Sequence, residues 1–141
     1  MLKLYLAGRI AGLSYEEAMA WREKVAKELA GDFEIISPMR GKSYLSKEEA
    51  IKASYPNTIC SGSKAIYQRD RFDVLRCDIV LANLEHGFAC GTLVEIGMAD
   101  AWNKLIILIA PRPETHPFLA EKAIQVSSVE AAISLLKVMK S

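Results

Sequence analysis

Apolar and polar positions along the chain change period in a regular way, and that change sets out the elements. "LKLYLAG" (2–8) is a short apolar run closed by Gly8 and reads as a strand. "LSYEEAMAWREKVAKELAG" (13–31) follows at helical period. Ala18, Trp21, Val25 and Leu29 form its buried stripe, Ser14 and Glu17 have capping-box spacing, and Gly31 stands where the helix should stop. "FEIISP" (33–38) is a second strand, stopped by Pro38. Residues 39–62 lack a period and hold Gly41, Ser43, Ser54, Pro56, Asn57, Ser61 and Gly62, with room for a short helix after Ser46. Two readings stand for this segment, a lid or binding loop and a plain surface insertion.

The pattern then resumes. Residues 63–77 read as a helix, 78–84 as a strand apolar on both faces, 85–90 as a loop, 91–104 as a helix and "LIILIA" (105–110) as another doubly buried strand. "PRPETHPF" (111–118) is a proline-rich loop, 123–127 a short last strand and 128–140 a closing helix. Alternating strands and helices predict one α/β domain over 1–141: a three-layer sandwich around a Rossmann-like parallel sheet of about five strands. Such sheets bind ligands at the carboxyl ends of their strands, near the topological switch point. The loops after Gly8, Pro38 and Leu84 are therefore the ones expected to carry function.

Composition narrows the class. The chain has 141 residues, 51% hydrophobic and 25% charged, enough for a core that needs no staples. The formal charge is +1 and basic residues are scattered, so no global field points to nucleic acid or a membrane surface. The longest purely apolar run is too short to span a bilayer, and Arg9 interrupts the apolar N-terminus, so no signal peptide is expected. Cys60, Cys77 and Cys90 form no CxxC pair, which suits a reduced, cytoplasmic setting. With His86 and His116 the only histidines, neither a metal site nor a cofactor is expected.

Candidate chemistry lies in two carboxylates. Thr92 and Glu95 have capping-box spacing, as do Ser14/Glu17, Ser46/Glu49 and Ser127/Glu130, so Glu95 reads first as a cap. On a helical wheel, however, Glu95 shares its stripe with Gly91, Met98, Ala99 and Trp102. A carboxylate on an apolar stripe must be paired, hydrogen-bonded or functional. Asp70 repeats the oddity among Ile66, Tyr67, Val74 and Cys77; an ion pair is its bland reading, and Asp73 at the stripe's edge competes with it. Asp78 reads as a turn residue. Two inward carboxylates suit nucleophilic and acid/base work at an anomeric carbon. Tyr5 would need a hydroxyl partner if buried in the first strand, or is simply core. Asn83 either meets a ligand or closes its loop. "AGRIAG" (7–12) is glycine-rich but matches no phosphate-loop motif.

"LYLAGRIAGLSYEEAMAWRE", "RDRFDVLRCDIVLANL" and "GTLVEIGMADAWNKLIILI" together resemble the nucleoside 2-deoxyribosyltransferase family, whose relatives include nucleoside 5′-monophosphate N-glycosidases. The resemblance runs from Leu4 to about Ile109. It implies a flavodoxin-like fold and cleavage of the N-glycosidic bond of a (2′-deoxy)nucleoside, with transfer of the deoxyribosyl group to another nucleobase. By that match Glu95 attacks C1′, Asp70 exchanges a proton with the nucleobase, and Tyr5 hydrogen-bonds the nucleophile. Gly8, Arg9, Asn83, Gly91 and Thr92 stand where substrate is held. A homo-oligomer, dimer or hexamer, with neighbouring subunits completing the pocket, is also implied. The chain departs from the family at three places. Gly87-Phe88-Ala89-Cys90 lacks the carboxylate many transferases carry there, Arg9 replaces a proline after Ala7-Gly8, and the chain ends Met139-Lys140-Ser141 without an aromatic terminus. Base preference, sugar preference and transfer against hydrolysis stay open on these grounds, with Arg9 a candidate for a 5′-phosphate. A nucleotide-binding module without turnover is the reading from another class.

Overall fold

Residues 1–140 are described by a computed structural model. Five strands form a single parallel sheet: β1 (Leu2–Gly8), β2 (Phe33–Ile36), β3 (Ile79–Asn83), β4 (Leu105–Ile109) and β5 (Ile124–Val126). Their spatial order is β2-β1-β3-β4-β5. Register runs Tyr5 to Ile36 on one side of β1, and Tyr5 to Val80 and Gly8 to Asn83 on the other. This is the flavodoxin-like order, with its switch point between β1 and β3. The carboxyl ends of these two strands therefore frame a crevice.

Helices cover both faces, as the alternation predicts. α1 (Tyr15–Leu29) and α5 (Val129–Met139) lie on one side; α2 (Ser63–Arg76), α3 (Cys90–Ala101) and the one-turn α4 (Pro117–Ala120) lie on the other. The central strands are sealed on both faces, and their side chains alternate between two cores. Leu4 and Leu6 face Trp21, Val25 and Leu29, whereas Tyr5 and Ala7 face Val74, Ile96 and Ala99. No described helix is long and apolar enough to cross a membrane.

Helix starts follow local chemistry, with corrections to three expected caps. Ser14 forms the expected reciprocal box with Glu17. At the last helix the cap is Ser128, whose Oγ accepts from the Ala131 N–H at 3.1 Å, and not Ser127. No helix follows Ser46; a 3₁₀ turn over Ser43–Leu45 ends there instead. The third correction matters most. α3 begins at Cys90 with Ala89 as its N-cap, so Thr92 caps nothing and Glu95 lies in the second turn. A capping box needs its threonine outside the helix, and here the helix has already started. The same helix ends at Ala101, earlier than expected, because Asn103 adopts a left-handed φ of 57° that breaks the α pattern. The loop 111–118 also holds more structure than its prolines suggested, since Pro117 opens α4.

The segment from Ser37 to Gly62 is tied down. Met39, Leu45 and Ile51 pack with Ala18 of α1 as a third apolar cluster. The Ile51 N–H donates to the Leu13 carbonyl at 2.7 Å, and the Gly12 N–H donates to the Ile51 carbonyl at 2.7 Å. This segment is a wall built against the β1–α1 loop.

Candidate active site

A cavity of about 260 Å³ opens at the carboxyl end of β1. Gly8 forms its floor, Ile10 and Ala11 one edge, and the N-terminal turns of α3 another. The wall segment closes it with Lys42, Leu45, Ile51, Tyr55 and Ser61. Asp70 from α2 and Glu95 from α3 both border this space, and both border an adjoining hollow of about 330 Å³ between the two helices. Two carboxylates 25 positions apart in sequence thus share one cleft, because α2 and α3 pack side by side on the same sheet face.

Tyr5 joins them from below. Its side chain is fully buried, and its hydroxyl donates to Glu95 Oε2. The period of β1 sends Tyr5 to the α3 side, opposite Leu4 and Leu6. Burial pushes the Tyr5 phenol well above its ordinary value, and the nearby carboxylates add to this, so it stays a donor.

Both carboxyls are held in protonated-leaning environments. Burial pushes Glu95 up to about 8, and the neighbouring charge of Asp70 adds to that; the Tyr5 hydrogen bond and the Arg22 guanidinium pull the other way. Burial also pushes Asp70 up to about 6, while Lys42 and Arg69 oppose it. Asp70 Oδ1 is buried with no hydrogen-bond partner, which leaves it available to a ligand. Near neutrality this pair holds one proton between its two carboxyls.

Asp73, the competing carboxylate, is excluded from the cleft. It is fully buried on the inner face of α2, with Arg40 at 2.7 Å and Arg76 at 3.0 Å. Asp78 accepts from the Lys3 N–H at 2.7 Å and secures the start of β1.

The other expected residues divide. Gly8, Gly91 and Thr92 line the cavity. A Cβ on Gly8 would sit 2.9 Å from the Trp21 ring and 3.3 Å from Arg22, so only glycine fits there. Arg9 and Asn83 do not line it. The Arg9 guanidinium bridges two loops, donating to the Ala11 carbonyl at 3.1 Å and the His86 carbonyl at 3.2 Å. Asn83 exchanges two hydrogen bonds of 2.9 Å with Glu85, one to its side chain and one from its N–H. It closes its loop, the blander of its two readings.

Two residues of the site escaped the sequence reading. Lys42 is only 4% exposed and borders the cavity, and burial pushes its ammonium down. No periodic pattern marks it, since it belongs to a loop. Arg22 is 2% exposed beneath Gly8. Its signal was present: it stands at helical spacing from Ala18, Val25 and Leu29, a cation inside an apolar stripe.

A larger cavity, about 540 Å³, opens elsewhere between Phe88, Leu93, His116 and Phe118. Glu114 is the only carboxylate in its wall, so it offers no pair for acid/base work. Among the described residues no cluster of ligands suits a metal ion.

Fold and site together define a small doubly wound α/β protein with a half-buried carboxylate pair at the switch point of its sheet. Residues 4–136 match the nucleoside 2-deoxyribosyltransferase family, and the chain belongs to it. Among solved structures, a CMP N-glycosidase, BcmB, from Clostridium botulinum superposes with a TM-score of 0.62 at 18% identity, covering 96% of this chain and 98% of that one. A 2-desoxiribosyltransferase from Leishmania mexicana gives 0.60 at 19% identity over 83% and 69%. A molybdenum cofactor binding protein from Rippkaea orientalis gives 0.62 at 18% identity over 99% and 98%. At these identities the likeness is one of fold. No curated protein matches in sequence.

Proposed function

We propose that the cleft breaks the N-glycosidic bond of a 2′-deoxynucleoside and transfers the deoxyribosyl group to a second nucleobase. The observation that carries this reading is the meeting of Glu95, Asp70 and Tyr5 in one cleft, with a single proton on the carboxyl pair near pH 7. When that proton moves to Asp70, the pair supplies the two things the reaction needs, an anionic nucleophile and a proton for the leaving group.

Once the shared proton has passed from Glu95 to Asp70, the Glu95 carboxylate attacks C1′ and forms a glycosyl ester. The C1′–N bond breaks, its electron pair goes to the base nitrogen, and that nitrogen takes the Asp70 proton. A second base then attacks C1′ through a ring nitrogen, gives its proton to Asp70, and the ester bond returns its electrons to Glu95. Tyr5 donates to the Glu95 carboxylate and orients it toward the sugar.

One observation favours a second reading, hydrolysis of a nucleoside 5′-monophosphate with water as acceptor. Lys42 and Lys52 both border the cavity, and among the described residues Lys42 has no carboxylate at ion-pair distance. A phosphate would find cations there. Incubation with a deoxynucleoside and a second free base, followed by chromatography, separates these outcomes. Base exchange supports transfer; released base without exchange, with the 5′-phosphate preferred, supports hydrolysis. Neither product, across purine and pyrimidine donors, overturns both and leaves a binding module.

The working form in this reading is a cytoplasmic homo-oligomer, dimer or hexamer. Support comes from Tyr67, Phe72, Leu75, Leu93 and Val94, large apolar side chains left exposed on α2 and α3. Light scattering on the purified protein tests it; a monomer at micromolar concentration would refute it.

A further inference from the structure

Lys42 is buried in the wall of the cleft, and among the described residues its ammonium has neither an ion-pair partner nor a hydrogen-bond acceptor. A cation so enclosed is costly unless something in the space it borders accepts from it. Its position follows from the turn that carries it. Gly41 takes a left-handed φ of 75° at the third position of a four-residue turn, and the Lys42 N–H donates to the Met39 carbonyl at 3.1 Å. That turn is fastened to α2 at two points. Arg69 donates to the Arg40 carbonyl at 2.8 Å, and the Arg40 guanidinium pairs with Asp73 at 2.7 Å. Arg69 and Asp73 bracket Asp70 on α2, so the fastening brings Lys42 and Asp70 to one cavity. Lys52, the other lysine of that cavity, is exposed and lies 5.8 Å from the Tyr55 ring.

We propose that Lys42 selects the base: its ammonium donates to an oxo group on the ring carbon beside the glycosidic nitrogen, which makes pyrimidine nucleosides the preferred donors. This rests on the N-glycosidic reading above, in which Asp70 serves the base. The cleft then meets the base with a proton from Asp70 and a fixed cation from Lys42. Pyrimidines carry an oxo group at C2, next to N1; purines carry none on either carbon next to N9. As the C1′–N1 bond breaks, its electron pair spreads from N1 onto O2. A cation at O2 stabilises that developing anion more than it stabilises the neutral donor. The Asp70 proton ends on the ring nitrogen, and Lys42 keeps its own. Leu45 and Ile51, both buried, line the same space and limit the water that would screen the contact.

The test measures kcat/KM of the full chain for deoxyuridine and deoxyadenosine in the wild type, Lys42→Met and Lys42→Arg. Methionine keeps the apolar stem and removes an unpaired charge, so the melting temperature should hold or rise. Lys42→Met should lose about 30-fold on deoxyuridine, the size of one charge-assisted hydrogen bond, and no more than about threefold on deoxyadenosine. Lys42→Arg, which keeps a cationic donor, should keep the order of preference. A wild type that prefers deoxyadenosine, or equal losses on both donors in Lys42→Met, overturns the proposal. A loss seen only with 5′-phosphorylated donors, whatever the base, puts Lys42 on the phosphate and overturns it too. Calorimetry with free bases needs no turnover. The wild type should bind uracil at least about tenfold more tightly than 4-pyrimidinone, which lacks the C2 oxo group, and Lys42→Met should erase the difference. Equal affinities in the wild type, or no binding of uracil at millimolar concentration, overturn the proposal. Lys42-dependent uracil binding without turnover of any nucleoside would leave it standing and remove the transfer reading, so the two failures are separate results.

Discussion

Replacing Glu95 with glutamine should stabilise the protein at alkaline pH and leave it nearly unchanged in acid. In the unfolded chain this carboxyl has its ordinary value near 4.5; in the fold, burial raises it to about 8. Between those values the folded state holds a proton that the unfolded state has lost. Stability therefore falls as pH rises across that window, and the loss is complete above it. Each pH unit of the window is worth about 1.4 kcal/mol, so full conversion corresponds to about 5 kcal/mol. The carboxyl borders an open cleft, and water there screens part of that, leaving about 1–3 kcal/mol. Glutamine removes the titration while its amide oxygen still accepts from the Tyr5 hydroxyl. Urea unfolding followed by Trp21 and Trp102 fluorescence, at pH 5, 7 and 8.5 and one protein concentration, measures the difference. Glu95→Gln should gain on the wild type steadily from pH 5 to 8.5. Parallel pH dependence in the two proteins, or a less stable variant at pH 8.5, would refute the reasoning, since the carboxyl would then be ionised at little cost.

Other consequences are equally direct. Glu95→Ala should lose at least about 10³-fold in kcat/KM while keeping its fold by circular dichroism; an unchanged rate would remove Glu95 as nucleophile. The pH profile of kcat/KM should be bell-shaped, with limbs near 6 and near 8, because only the singly protonated pair is competent. A profile flat from 5 to 9 contradicts this. Tyr5→Phe deletes the donor to Glu95 and should raise the Glu95 value further, so the profile should move to the alkaline side. Asp73→Asn leaves Arg40 and Arg76 facing a neutral group and should cost about 1–3 kcal/mol in urea unfolding, with the limbs of the pH profile in place.

Much of this molecule is written in one dimension. Sealed runs such as 79–83 and 105–109 could only be inner strands of a parallel sheet, and the period of 15–29 could only be a helix with one buried face. Glu95 and Asp70 stood out because each breaks an apolar stripe. Other features depend on where a helix starts. Thr92 and Glu95 have the spacing of a cap, yet the start of α3 at Cys90 turns Glu95 into a second-turn residue of the cleft wall. Periodicity locates a helix but not its first residue, and a shift of three positions changes a cap into a site.

Asp70 and Asp73 show the same limit. They sit three residues apart on neighbouring lines of α2, and no pattern within the helix separates them. Arg40, from a different segment, takes Asp73 into an ion pair; Asp70 Oδ1 has no hydrogen-bond partner. Segment 37–62 was likewise open between lid and insertion, and its packing on Ala18 and its bonds to Gly12 and Leu13 make it a wall of the cavity. By itself the sequence determined the elements, their order and which carboxylates were out of place, because those follow from periodicity and burial along the chain. Only the tertiary structure decided which carboxylate is neutralised, which loop closes the cleft and that Arg22 lies behind it. Charge and contact act through space, between residues the sequence holds far apart.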